Sequence, residues 1–484
     1  MKQNKIIKAG IGYTVGNYCI KGLTFLTIPI FARLLSTSDY GIYNTFIAYE
    51  AILYLFIGFA LHASYKSAKL KYGLLAEGNK DYNFETYASV TIMFMIIVTL
   101  IWFIIANIFY PIIGETLSLD RVSTNLLVLY AFGSAVVACF NARASLTYQY
   151  KDFLKVAFIN VAGNIGISVL LIETAFNNER YMGRIVGTVL PIFLIAVVIS
   201  FDWFKSARPM HSKDYLKWGL KFSLPIVPHG ISQVILSQFD RIMITSMIGA
   251  AQSGLYSFAY NIYSIISVTY TSIDTVWGQW FYDKMQSKNY KAIKNYSTIY
   301  MILMLIFSMS VMIASPELIL ILGSNKYKDS IYCVIPIIAG GYFAYLYTIP
   351  CEVEYYNSKT GLIAVGTFSA AVINIVLNYI CILKWRYVAA AYTTLITYVL
   401  YFAFHYFLAW KIQGSFIFSN NSVLACSIGM VVSAFVTLRI LEYILIRWII
   451  IAILIIIAVY IEERNFSIIK NIIVKIKTKQ NSRS

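Results

Sequence analysis

The sequence predicts an all-α polytopic membrane protein of about 14 transmembrane helices. They form two pseudo-symmetric six-helix lobes around a central cavity, with two extra C-terminal helices. Three observations predict this. Of 484 residues, 59% are hydrophobic and 13% charged, against about 25% charged in soluble domains. Apolar windows near the roughly 20 residues needed to cross a bilayer core recur along the whole chain. The sequence also matches itself weakly at an offset of 213 residues, where Gly41-Ile-Tyr43 falls on Gly254-Leu-Tyr256 and Lys8 on Lys221.

The windows fall at about 10–33, 41–62, 87–109, 122–143, 154–174 and 184–204 in the first half. The second set falls at about 223–248, 254–276, 297–316, 331–351, 361–383 and 387–410, followed by unpaired windows at about 420–440 and 445–461. Their length excludes barrel strands, which alternate over shorter segments of about ten residues. Short outer turns, Gly249–Ser253 and Lys384–Tyr387, separate neighbouring windows that otherwise look continuous. The first window is expected to be retained, because Lys21 interrupts it and no small-residue cleavage site follows. Residues 1–210 are expected to form an N-lobe, 211–411 a C-lobe and 412–461 the two extra spans, with 462–484 a basic cytoplasmic tail; the lobe boundary is the basic loop Lys205–Lys217. Six spans per lobe is an even number. The repeat is therefore parallel, related by an axis along the membrane normal.

Charge fixes the orientation. With the N-terminus inside, Lys66, Lys69, Lys71 and Lys80, the loop from Lys205 to Lys221, the run from Lys284 to Lys294 and the C-terminal tail all fall on the cytoplasmic side. This asymmetry is the positive-inside pattern and places both termini in the cytoplasm. The net charge of +17 is thus a topological signal and points to anionic lipid headgroups, not nucleic acid. All six cysteines lie in windows with no pair at metal-ligand spacing, the four histidines are scattered, and no hydrophilic stretch could house a catalytic domain.

The first two windows of each lobe carry polar stripes. Thr14, Asn17, Lys21 and Thr24 share one helical face, as do His229, Gln233, Ser237 and Asp240. Tyr256, Tyr260, Tyr263, Ser267, Tyr270 and Asp274 form a third stripe, and Tyr43, Glu50 and Tyr54 a fourth. A lysine at mid-membrane depth costs roughly 2.5–3.5 kcal/mol on insertion scales. Lys21, Glu50 and Asp240 are therefore expected to line a wet cavity, and a buried Lys21–Glu50 ion pair is the rival arrangement. Neutral members of the stripes also serve as hydrogen-bonding glue between helices. Arg241 points about 100° from Asp240, toward a neighbouring helix or the outer interface. Arg143, Glu352 and Glu354 are expected at solvated span ends. Tyr260, Tyr263 and Tyr270 offer flat rings with hydroxyls, suited to sugar rings.

Lys221-Phe-Ser-Leu-Pro-Ile-Val-Pro-His229, Leu236-Ser-Gln-Phe-Asp240-Arg241 and Gly254-Leu-Tyr256-Ser-Phe-Ala-Tyr260 together resemble the second-lobe signature of Wzx-type oligosaccharide flippases. Trp277-Gly-Gln-Trp-Phe-Tyr-Asp283, Tyr355-Tyr-Asn-Ser-Lys359 and Ala370-Ala-Val-Ile-Asn374 extend the likeness, and Arg33-Leu-Leu-Ser-Thr-Ser-Asp-Tyr-Gly41 is similar to the family's first outer turn. Phe239 and the pair Cys351-Glu352 depart from the pattern. The resemblance implies the fold of the multidrug/oligosaccharidyl-lipid/polysaccharide exporter superfamily, in the bacterial inner membrane. It implies translocation of undecaprenyl-pyrophosphate-linked oligosaccharide for O-antigen, capsule or exopolysaccharide synthesis, with no bond made or broken and no cofactor. A Na+ or H+ gradient is a possible driving force, and a polysaccharide polymerase and chain-length regulator are possible partners. On this basis Lys21 and Arg241 would attract the pyrophosphate, while Gln233, Tyr260, Tyr263 and Tyr270 would contact sugars. Asp240, His229, Glu50 or Asp274 would bind a coupling ion. A drug or cation antiporter of the same superfamily and a lipid II flippase are the alternatives.

Overall fold

The computed structural model describes residues 2–73, 83–209 and 212–465, and all regular structure in them is helical. In chain order the first helices are α1 (Lys2–Leu34), α2 (Thr37–Gly58), α3 (Tyr65–Tyr72), α4 (Phe84–Ile108) and α5 (Tyr110–Leu117). They are followed by α6 (Arg121–Thr147), α7 (Tyr150–Glu173), α8 (Arg180–Ser206), α9 (Ser212–Ser223) and α10 (Val227–Met247). Then come α11 (Ala250–Gln286), α12 (Tyr290–Ile313), α13 (Ser315–Leu322), α14 (Ile331–Leu346) and α15 (Thr348–Tyr356). The last are α16 (Thr360–Trp385), α17 (Val388–Gln413), α18 (Asn420–Ile440) and α19 (Ile444–Asn465).

Among the described residues, 11 helical segments are long and apolar enough to cross a membrane. The other three expected windows fall on α1, α10 and α11. In α10 and α11 the polar stripes themselves dilute the apolar content. The outer surfaces read as lipid-facing: Leu445 is 79% exposed and Ile456 67%, which only acyl chains can solvate favourably at such density.

By contacts the chain divides into two compact units, Met1–Ser257 and Phe258–Ser484, so the dividing point lies within α11. In the first unit, α8 packs on α6 and α7, and α2 packs on α6 and α10. Local chemistry sets the helix starts. The Ser36 hydroxyl accepts from the Asp39 amide at 3.0 Å while the Asp39 carboxylate accepts from the Ser36 amide at 3.1 Å, a reciprocal cap opening α2. Asn83 and Asp120 cap α4 and α6 in the simpler one-way fashion. An aromatic core of Tyr65, Phe84, Tyr87, Trp203 and Tyr215 then ties the short basic helices α3 and α9 to the ends of α4 and α8. The Tyr215 hydroxyl accepts from the Asn83 amide at 2.8 Å, and Tyr65 and Thr91 hydroxyls meet at 2.6 Å.

The start of α2 meets the start of α11 at two glycines. A Cβ on Gly41 would sit 1.8 Å from the Ala250 carbonyl oxygen, and one on Gly254 would sit 1.9 Å from the Thr37 carbonyl oxygen. Thr37 maps onto Ala250 and Gly41 onto Gly254 under the same 213-residue offset. The crossing is therefore its own image under the offset, and only glycine permits the backbones so close.

In the second unit α14 and α16 pack on α17, while α12 carries α18 and α19. Arg447 of α19 donates both terminal nitrogens to Glu317 of α13, each at 2.6 Å, and a further bond to the Ile313 carbonyl at 3.0 Å. This fork fastens the last span to the bundle.

Candidate functional site

In the first unit Lys21 is exposed on α1, and among the described residues no side chain pairs with it. The expected companions Thr14 and Asn17 lie outside the described side chains. Thr24 turns back on its own helix, donating to the Ile20 carbonyl at 3.0 Å. Glu50 is buried between α2 and α6, 8% exposed, with its carboxylate accepting from Ser134. The rival Lys21–Glu50 ion pair is thus not formed. Instead Glu50 sits beside Tyr54 and Tyr130, and the Tyr54 hydroxyl lies 3.3 Å from His62 Nδ1.

On α10 the stripe divides by depth. His229 and Gln233 are half-buried and Ser237 is exposed. Asp240 shares their angular position yet is 1% exposed, because the start of α11 covers it and Tyr256 donates its hydroxyl to the carboxylate. Arg241 is 7% exposed and folds along its own helix, donating to the Ser237 carbonyl at 2.8 Å and to the Gln238 side chain. Its own carbonyl accepts from Ser253 at 3.2 Å. Thr45 and Thr245 hydroxyls meet at 2.6 Å alongside. The structure therefore brings Asp240, Arg241 and Tyr256 into one seam and leaves Lys21, His229 and Gln233 outside it. A cavity of about 290 Å3 in this unit is lined by Tyr49, Phe56, Trp102, Phe239 and Ile242, too apolar to receive a pyrophosphate.

The second unit gathers the aromatic stripe. Tyr260 and Tyr263 rings cross at 90° with centroids 5.7 Å apart, and Tyr263 and Tyr270 hydroxyls are bonded to each other. A Cβ on Gly341 would lie 2.1 Å from the Tyr263 ring, so this tyrosine is wedged against bare backbone of α14. One turn on, Asp274 accepts from Thr348 through one oxygen while the other, Oδ1, is buried without a partner. Glu352 faces it closely enough for their charges to interact. A groove of about 470 Å3 between α17 and α18 is walled by Phe402, Tyr406, Trp410, Phe416 and Leu424.

Sequence reasoning missed two sites. Arg184, 8% exposed, stacks its guanidinium on Phe31 at 3.7 Å and Tyr43 at 4.6 Å and donates to Asn164 and Ser168 at 2.5 and 2.9 Å. It opens an apolar window and so reads as a span end. Glu354 corrects the solvated-end expectation: it is fully buried, with His405 Nδ1 2.5 Å from its Oε1. Cys351 joins them, the three ligand-type atoms lying within 4.8 Å of one another. Fifty-one residues separate Glu354 from His405, so no spacing pattern announces the pair.

Residues 6–278, more than half of the chain, match the family model described as polysaccharide biosynthesis protein. The chain belongs to that family. A curated relative, Lsg locus putative protein 1 of Haemophilus influenzae, is 24% identical over 379 residues, covering 74% of this chain and 87% of the relative. Among solved structures, the lipid II flippase MurJ in its inward closed conformation superimposes with a TM-score of 0.67 at 14% identity, covering 94% of this chain and 99% of MurJ. An inward-facing multidrug resistance MATE transporter of the MOP superfamily gives a TM-score of 0.60 at 12% identity, covering 81% of this chain and 99% of the transporter. This polysaccharide biosynthesis family member thus shares its fold with MurJ and the MATE transporter.

Proposed function

We propose that this family member is a flippase of the bacterial inner membrane that moves undecaprenyl-pyrophosphate-linked oligosaccharide repeat units from the cytoplasmic to the outer leaflet by alternating access. Membership of the polysaccharide biosynthesis family carries the reading. Both termini are cytoplasmic, residues 1–210 and 211–411 are the two lobes, and 412–461 add two spans before the basic tail.

The physical problem is the head, since pyrophosphate charge and sugar hydroxyls cannot cross about 30 Å of hydrocarbon. Lys21, exposed and with no described side chain neutralising it, is the first ligand for the pyrophosphate, with Arg241 second. Gln233, Tyr260, Tyr263 and Tyr270 contact sugars as the helices rearrange, and Asp240, His229, Glu50 and Asp274 exchange a coupling cation. The aromatic groove between α17 and α18 suits a polyprenyl tail that stays at the lipid boundary. A polysaccharide polymerase and a chain-length regulator would receive the product.

The test is transfer of a fluorescent undecaprenyl-pyrophosphate oligosaccharide across proteoliposomes, read by protection from an external lectin. Wild-type protein is expected to move it, and K21A that inserts normally is expected to be at least about tenfold slower, the loss of about 1.4 kcal/mol of anion attraction. Full-rate transfer by K21A would remove the pyrophosphate assignment. A second reading, a cation or drug antiporter, is favoured by the buried acids Glu50, Asp240 and Asp274; dye efflux without lipid-linked sugar transfer would select it. Complementation of a lipid II flippase deficiency would select peptidoglycan precursor transport instead.

A further inference from the structure

Cys351 and Glu354 stand three residues apart on α15, so their side chains share a face, and His405 of α17 meets them there. All three are buried, at 4%, 0% and 0% exposed. One ligand-type atom of each lies within 4.8 Å of the other two. Rings keep water away: Tyr401 meets the imidazole edge-on with centroids 4.5 Å apart, with Phe404 at 5.3 Å and Tyr347 at 5.7 Å. Gly366 of α16 leaves the ring its place, since a Cβ there would be 3.1 Å from His405 Nε2.

The cluster has more lone pairs than protons to meet them. His405 Nδ1 lies 2.5 Å from Glu354 Oε1, so one proton sits between those two atoms. Glu354 Oε2 and His405 Nε2 are then acceptors, buried with no hydrogen-bond partner. Lone pairs at this depth are costly unless something positive meets them. Cys351 adds a sulfur to the carboxylate and the imidazole. Such a mixed set suits Zn2+, which takes S, N and O ligands together, whereas Ca2+ and Mg2+ take oxygen and more of it.

Distance and charge both agree with that ion. A tetrahedral metal bonded at about 2.0–2.3 Å holds its ligand atoms roughly 3.3–3.8 Å apart, between the 2.5 Å of the closest pair and the 4.8 Å that encloses all three. Zn2+ would replace two protons, the thiol's and the shared one, and its two charges would meet one thiolate and one carboxylate. The site is then neutral with the metal and without it, the condition for burial among apolar rings. We propose that Cys351, Glu354 and one imidazole nitrogen of His405 bind one Zn2+, which staples α15 to α17 across the 51 positions between Glu354 and His405. Glu354 lies in the last turn of α15, and Tyr355, Ser358 and Lys359 just beyond it are exposed, so an ion approaches from that end. The metal's part is structural.

The site is tested without any substrate, so its failure and that of the flippase reading are separate results. Full-length protein in detergent, carrying no polyhistidine tag, is stripped with a chelator and then given Zn2+ alone. Wild type is expected to retain one equivalent through dialysis and to unfold at a higher midpoint because of it. C351S and E354Q are expected to hold Zn2+ at least about tenfold more weakly and to show no such rise. Loading wild type with Co2+ gives a signature that needs no variant to fold: a thiolate-to-cobalt charge-transfer band in the near ultraviolet. No retained equivalent in wild type, or a Co2+ spectrum lacking the thiolate band, overturns the proposal. Unchanged retention by C351S overturns it as well, and would place the ion on the other histidines, His62, His211 and His229.

Discussion

At the scale of single residues, burial separates charges that read alike in the sequence. Asp240 and Glu50 both interrupt apolar runs, and both end up beneath hydroxyls, Tyr256 for one and Ser134 for the other. A hydrogen bond to a carboxylate contributes about 1.5–3 kcal/mol. Tyr256→Phe is therefore expected to lower the unfolding free energy of the solubilised protein by about that amount, measured as a shift in the denaturation midpoint without loss of expression. The stripes themselves were legible, because helical periodicity is local. What they touch was not. Asp240 lies at the angle of Gln233 yet at another depth, and depth is decided by α11 arriving over one end of α10. Glu354 was misjudged for the same reason, since its partner comes from a distant helix.

Helix positions were legible approximately: the window at about 41–62 lies on α2, four residues late at each end, and the window at about 387–410 lies on α17, which Gly414 ends with a φ of +71°. Helices α3 and α9 were not legible as elements, being short and basic and held by the aromatic core around Tyr65 and Tyr215. Two predictions belong to elements. Gly41→Ala places a methyl 1.8 Å from a carbonyl oxygen, so α2 and α11 must part, at an expected cost of about 1–3 kcal/mol, visible as a lowered thermal midpoint. The clasp of α19 supplies the other. Burial alone would push the Glu317 carboxyl up, but the Arg447 fork outweighs it and holds the group below its ordinary range. A depressed carboxyl stabilises the fold above the unfolded value of about 4.3 and loses that contribution as pH falls through the folded value. Acid is thus expected to loosen α19 in wild type, read as faster proteolysis after Asn465 at pH 3–4 than at pH 6 (roughly the window that reference value sets). In E317Q the two pH values should give similar rates.

For the whole molecule, apolar windows and charge asymmetry were enough to anticipate an all-helical, many-span architecture, since a bilayer allows few alternatives. Orientation remains to be measured. Green fluorescent protein fused after residue 465 is expected to fluoresce, and alkaline phosphatase inserted between α7 and α8, near Asn177, to be active; the reverse pattern would invert the topology. Substrate chemistry lies beyond composition because a polar ligand is read by a few side-chain positions, and 39 tyrosines disguise them.

The Gly41–Gly254 crossing has a genealogical consequence. If a half-length ancestor once paired with its own twin, Gly41 of each copy would have rested against Thr37 of the other, and fusion of the genes would have frozen that handshake into one polypeptide. Residues 1–210 expressed alone should then retain some tendency to dimerise through that surface, and a cysteine at position 37 should cross-link the twins.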